Sequence, residues 1–166
     1  MGCDIHMVLE RRIRGEWVGM HSYRGIEPAA VDAYSLSEQE VPPLKSWITY
    51  KIMSRNYDLF GELAGVRWEG SLGNEPRGLP EDMSQLTRVL SEEWAGDGHS
   101  HSHLSLLEFV QAYCASEGTT DKLVAHKLNP TNESSKWFMD VCTKVSGVDI
   151  FDEEFDAFRI CFWFDN

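Results

Sequence analysis

Asp97-Gly98-His99-Ser100-His101-Ser102-His103 places three imidazoles and a carboxylate within seven residues. In extended backbone, side chains two apart share a side, so His99, His101 and His103 converge while Ser100 and Ser102 face the other way. A second Asp-x-His pair, Asp4-Ile5-His6, stands near the start of the chain. Neutral imidazole with carboxylate suits Zn, Mn or Fe(II), which take three or four protein ligands at about 2.0–2.2 Å. Asp4, His6, Asp97 and His99 form such a set, serving at once as metal ligands and catalytic groups. A zinc or manganese ion held there would polarise a phosphoryl or acyl oxygen and make hydroxide near neutral pH. Arg67 and Arg77 would grip anionic oxygens through their guanidinium forks, with Ser100 and Ser102 as further substrate contacts. Backbone amides at a helix start near Ser105 offer one more anion contact. This is the equipment of a metal-dependent hydrolase for a small phosphate ester or a linear or cyclic nucleotide.

The same residues admit other readings. A metal-free site would use His99 or His6 as general base with an Asp orienting it. A serine nucleophile lacks the Gly-x-Ser-x-Gly elbow. Structurally, Asp4 and His6 can be a solvent-side pair on a strand, and His99 or His103 can donate to loop carbonyls. Arg77 can pair with Asp82, and Arg55 and Tyr57 can pack and cap. Strand alternation puts Cys3 on a core face, as a buried thiol and not a nucleophile. A non-catalytic protein would sequester a nucleotide in a pocket or occlude a partner protein with an acidic surface.

The elements that must hold these groups are legible in outline. From Cys3 to Leu9 the odd positions are apolar, which defines a core face and leaves Asp4, His6 and Val8 on the other. Arg14-Gly15 makes a hairpin turn and Trp17-Val18 lie in the return strand. Residues 24–46, with prolines 28, 42 and 43, read as a surface excursion. Asn56 caps a helix with the stripe Leu59, Phe60, Leu63, Val66, ending near Gly65 or Arg67. A Gly/Asn/Pro-rich loop from Trp68 delivers Arg77-Gly78-Leu79-Pro80 to a second helix carrying Met83, Leu86 and Leu90, with Gly96 as its stop. Ser105 and Glu108 spell a capping box, with Leu104 and Phe109 as hydrophobic staple. Short helices are expected at 123–128 and from Trp137 to Val145. The last strand alternates Phe158, Ile160, Phe162, Phe164 against Arg159, Cys161, Trp163, so it should be central or covered. The expected architecture is α+β: a small, mainly antiparallel sheet holding the N-terminal hairpin and the C-terminal strand, with helices packed on one side.

Several of these segments together resemble a family of uncharacterised bacteriophage proteins. The resemblance is carried by Met1-Gly2-Cys3-Asp4-Ile5-His6, Arg55-Asn56-Tyr57 through Leu59-Phe60 and Leu63-Ala64 to Val66-Arg67, and Arg77-Gly78-Leu79-Pro80 with Asp82 and Ser84. Asp97-x-His99-Ser100-x-Ser102 and Phe162-Trp163-Phe164-Asp165-Asn166 complete it. It implies a setting, the cytoplasm of an infected bacterium and a part in countering host defence, and no particular reaction. His101 and His103 lie outside those motifs.

Composition limits the classes. The 166 residues, 42% of them hydrophobic and six of them tryptophan, suit one globular domain spanning 1–166 with a substantial core. A net charge of -12, from 27 acidic and 15 basic side chains, repels phosphate backbones and argues against nucleic-acid wrapping. Four cysteines without a Cys-x-x-Cys pair suggest reduced thiols and a cytoplasmic protein. No run approaches the roughly 20 apolar residues of a membrane span. His6, where a myristoylation signal needs Ser or Thr, argues against a lipid anchor.

Overall fold

The structure, a computed structural model, describes residues 2–24, 27–29, 55–67, 73–116, 118 and 157–166. Five strands form one antiparallel sheet: β1 (Asp4–Ile13), β2 (Glu16–Arg24), β3 (Glu27–Ala29), β4 (His99–Ser105) and β5 (Phe158–Asp165). Their order is β3-β2-β1-β5-β4, so the two ends of the sequence pair at its centre. Three helices accompany it: α1 (Tyr57–Ala64), α2 (Gln85–Glu93) and α3 (Leu106–Ser116). The α+β class, with the first hairpin and last strand in one antiparallel sheet, is as expected. The helices expected at 123–128 and 137–145, and the excursion at 24–46 apart from 24 and 27–29, lie outside the described residues.

Local chemistry explains most boundaries. Arg14 (φ 52°) and Gly15 (φ 87°) both take left-handed backbone, the signature of the two-residue turn whose twist matches paired strands. In α1 the Asn56 side chain accepts the Leu59 N–H, and Gly65 ends the helix in left-handed backbone. Ser105 and Glu108 close the capping box at 2.9 and 3.2 Å, starting α3 where β4 stops.

Both faces of the sheet are covered, which departs from the expectation of helices on one side. Cys3, Ile5, Met7 and Leu9 of β1 join Phe158, Ile160, Phe162 and Phe164 of β5 beneath α1 and α3. The opposite face carries Val8 and Trp163 packed on Leu86 and Leu90 of α2. The reason is a buried polar network that α2 brings with it. Glu10 is fully buried. Its carboxylate accepts Arg159 Nε at 2.6 Å, the Ser84 N–H at 2.7 Å and the Thr87 hydroxyl at 2.5 Å. Arg159 also donates to the Asp82 carboxylate at 2.8 Å and lies 4.0 Å above the Trp17 ring. Charges so satisfied can be buried, so the polar alternation of β1 does not mark a solvent face.

Candidate functional site

The pairing of β1 with β5 sets Asp4 opposite Asp165, Ile5 opposite Phe164 and His6 opposite Trp163. Side chains opposite one another share a face, so Asp4, His6, Trp163 and Asp165 all lie on the α2 face. Asp165 reaches β1 twice: Oδ1 accepts the Asp4 N–H at 3.2 Å, and Oδ2 lies 3.2 Å from His6 Nε2. His6 is 3% exposed. Trp94, at the end of α2, covers its ring at 4.2 Å, and Trp163 lies nearly parallel to it at 5.7 Å.

Two arginines flank α1 and close on this strand end. Arg55 donates from Nε and Nη2 to the two Asp4 carboxylate oxygens at 2.8 and 3.2 Å, holding that carboxyl below its usual range. A Cβ at Gly2 would come within 3.0 Å of the Arg55 guanidinium, so glycine leaves room for it. Arg67 donates to the Asn166 side-chain oxygen at 3.1 Å. Burial pushes the Cys3 thiol's pKa up, with Arg67 opposing. The Cys3 N–H donates to the Tyr57 hydroxyl at 3.3 Å. Arg55 (φ 45°), Arg67 (φ 57°) and Ser100 (φ 50°) are three of the four non-glycine residues with positive φ among those described. Each such conformation costs about 1 kcal/mol, and here all three adjoin one end of the sheet.

The histidine-rich strand does not keep the expected alternation. A bulge between His99 and Ser102, with Ser100 in left-handed backbone, turns His99 and His101 to opposite faces. The His99 ring lies 6.1 Å from Phe164 on the α1/α3 face, and His101 stacks 6.0 Å from Trp163 on the α2 face. Burial lowers the His101 pKa, and His99 adds to the effect. The His103 Nδ1–H donates to the Gly78 carbonyl at 2.9 Å, the loop-carbonyl role. His99 Nδ1 meets the Ser100 hydroxyl at 3.1 Å, while its Nε2 is buried with no hydrogen-bond partner among the described residues. The three imidazoles therefore do not converge.

The other expected site residues are distributed as follows. Asp97 is exposed in the turn after α2. Arg77 is held by Glu108, with guanidinium contacts of 2.7 and 3.1 Å, and not by Asp82. That fork, with the Ser105 contacts, holds the Glu108 pKa down to about 2. Ser102 is buried, its hydroxyl accepting the Arg77 N–H at 3.1 Å. Asp4, His6, Asp97 and His99 are not gathered into one ligand set. Among the described residues no group of three or more His, Cys, Asp or Glu side chains is placed to hold a metal ion.

The structure adds Asp165, which the sequence reading passed over, and gives Arg55 an ionic role beyond packing and capping. Alternation put Asp165 on the same face as Trp163, and register with β1 was the missing step. Neither family models, curated proteins nor solved structures give a match to this chain. Among the described residues no helix is long and apolar enough to cross a membrane.

Proposed function

We propose that the protein takes a small phosphorylated molecule, of the nucleotide class, at the strand end built from Asp4, His6, Arg55, Arg67 and Asp165. One observation carries the reading. Two arginines in left-handed backbone converge on the pair of strands whose Asp165–His6 contact spans 3.2 Å. Guanidinium forks recognise phosphoryl oxygens in two-pronged fashion, and an imidazole oriented by a carboxylate can take or give a proton. The reaction so served is hydrolysis of a phosphate ester or of a linear or cyclic nucleotide signal. The proposed setting, from the sequence resemblance, is counter-defence in the cytoplasm of an infected bacterium. A zinc- or manganese-dependent form requires Asp4 to leave Arg55 and join His6, so it calls for a rearranged site.

A non-catalytic form, in which the protein sequesters a nucleotide or blocks a host defence protein, is favoured by the burial of His6 beneath Trp94. Incubation of purified protein with linear and cyclic nucleotides, with and without chelator, separates these forms when the released small molecules are chromatographed. Products identify a hydrolase. Chelator-sensitive products restored by zinc or manganese identify the metal-dependent form. An intact nucleotide released only on denaturation identifies sequestration. Capture of a host protein with indifference to every nucleotide would sink the phosphate site and leave the blocking role.

A further inference from the structure

Trp163 is the odd member of its strand. On the opposite face β5 uses Phe158, Phe162 and Phe164 to fill core volume, yet this face holds an indole that is 1% exposed. Its Nε1–H is buried with no hydrogen-bond partner among the described residues. Buried tryptophan N–H groups normally find an acceptor, and phenylalanine would occupy the position without the cost of an unmet donor.

The indole is the centre of a row of rings. His6 lies 5.7 Å away at 12° and His101 lies 6.0 Å away at 16°, one on each neighbouring strand. Trp94 covers His6 from the end of α2. The Trp94 carbonyl accepts the N–H groups of Asp97 and Gly98 at 3.1 and 2.7 Å, which ties its backbone while its indole stays half-buried at the rim. Gly98 gives the His101 ring its place, since a Cβ there would meet that ring at 3.3 Å. Asp4, with Arg55 on its carboxylate, lies two residues from His6 on the same strand face, a spacing of about 7 Å. A flat heterocycle joined through a sugar to a phosphate fits that spacing.

We propose that Trp94, His6, Trp163 and His101 form a nucleobase subsite continuous with the arginine-flanked strand end, in which a base displaces the Trp94 indole and accepts from Trp163 Nε1. This rests on the reading of that strand end as a phosphate site, and it narrows the ligand to a nucleotide bound through its base. Stacking is sequence-tolerant, so the indole N–H supplies the directional contact.

Calorimetric titration of the unaltered protein with adenosine 5′-monophosphate, uridine 5′-monophosphate and ribose 5-phosphate tests it. At least one nucleotide should bind roughly tenfold or more tighter than ribose 5-phosphate, the gain expected from stacking one base. Trp163→Phe, which keeps a ring and removes the donor, should reduce that preference several-fold and leave ribose 5-phosphate affinity unchanged. Equal binding of all three ligands would overturn the base subsite while the phosphate site stands. Binding of none would overturn both. An unchanged preference in Trp163→Phe would remove the indole donor and with it the proposal. The ligand comparison needs only the unaltered chain, so it decides the matter even if the variant does not fold.

Discussion

Asp165 Oδ2 lies 3.2 Å from His6 Nε2 across the central strand pair, with the His6 ring held beneath Trp94. A carboxylate in that position can orient the imidazole. Asp165→Asn keeps the side-chain shape and an oxygen for the Asp4 N–H but replaces the carboxylate charge. If the site hydrolyses its ligand, turnover should fall about 100-fold or more without loss of ligand affinity. Stability should fall by about 1–2 kcal/mol, read from urea midpoints. Full turnover in this variant would take the pair out of the chemistry.

The Glu10–Arg159 pair makes a prediction about stability alone. Arg159→Met strands a fully buried carboxylate and removes the guanidinium above Trp17, so a loss of about 3–5 kcal/mol is expected by urea denaturation. Adding Glu10→Gln should recover part of that loss, because it discharges the stranded group and keeps an acceptor for Ser84 and Thr87. A second change that made matters worse would contradict this account.

How much of this was legible beforehand depended on the range of the contacts involved. Asn56, Gly65 and the Ser105–Glu108 box act within a few residues, and their helix ends fall where propensity and capping put them. The alternation of β5 announced a covered strand. The polar side of β1 misled because burial of Glu10 depends on Arg159, Ser84 and Thr87, partners at least 74 residues distant that leave no periodic trace. The imidazole cluster misled for another reason. Ser100 interrupts the alternation on which convergence of His99 and His101 depended, and the bulge lies in a run of side chains with no glycine to signal it. The two Asp-x-His segments do approach the same end of the sheet, but it is His101, not His99, that shares the Trp163 face with His6.

Glu108 should give stability an acid limb. Its pKa is lowered from 4.5 to about 2, first by the Arg77 fork, so its contribution is fully present above about 4.5 and lost as pH falls through about 2. Both partners are more than a third exposed, so the pair itself is of surface size. Arg77→Lys should therefore cost under about 1 kcal/mol in thermal unfolding and leave phosphate binding unchanged. Weakened binding in Arg77→Lys would return that residue to the site.

Cys3, Cys114 and Cys161 are buried. Burial raises the pKa of Cys3 and of Cys161, so little thiolate is available at neutral pH. Iodoacetamide at pH 8, followed by peptide mass spectrometry, should leave all three unmodified in the native protein and label them in denaturant. Rapid native labelling of Cys3 would reopen a nucleophilic role for it beside Arg67.

Asp4 separates the anion site from the metal site most sharply. As a metal ligand it is indispensable, and its loss would abolish metal occupancy and any activity that depends on it. As the partner of Arg55 it competes with the ligand, because its two oxygens already occupy the guanidinium fork at 2.8 and 3.2 Å. Asp4→Asn lowers the negative charge at the strand end and frees that fork, so phosphate affinity should rise a few-fold, with the increase suppressed by salt. Its lowered pKa predicts the same trend in the unaltered protein, with the Arg55 fork freed as acid protonates Asp4 below its usual carboxylate range. Calorimetry of Asp4→Asn with inorganic phosphate at low and high salt reads the outcome. Tighter binding supports the arginine-flanked anion site, whereas complete loss, with zinc or manganese content lost alongside, would establish Asp4 as a ligand and restore the metal-dependent form.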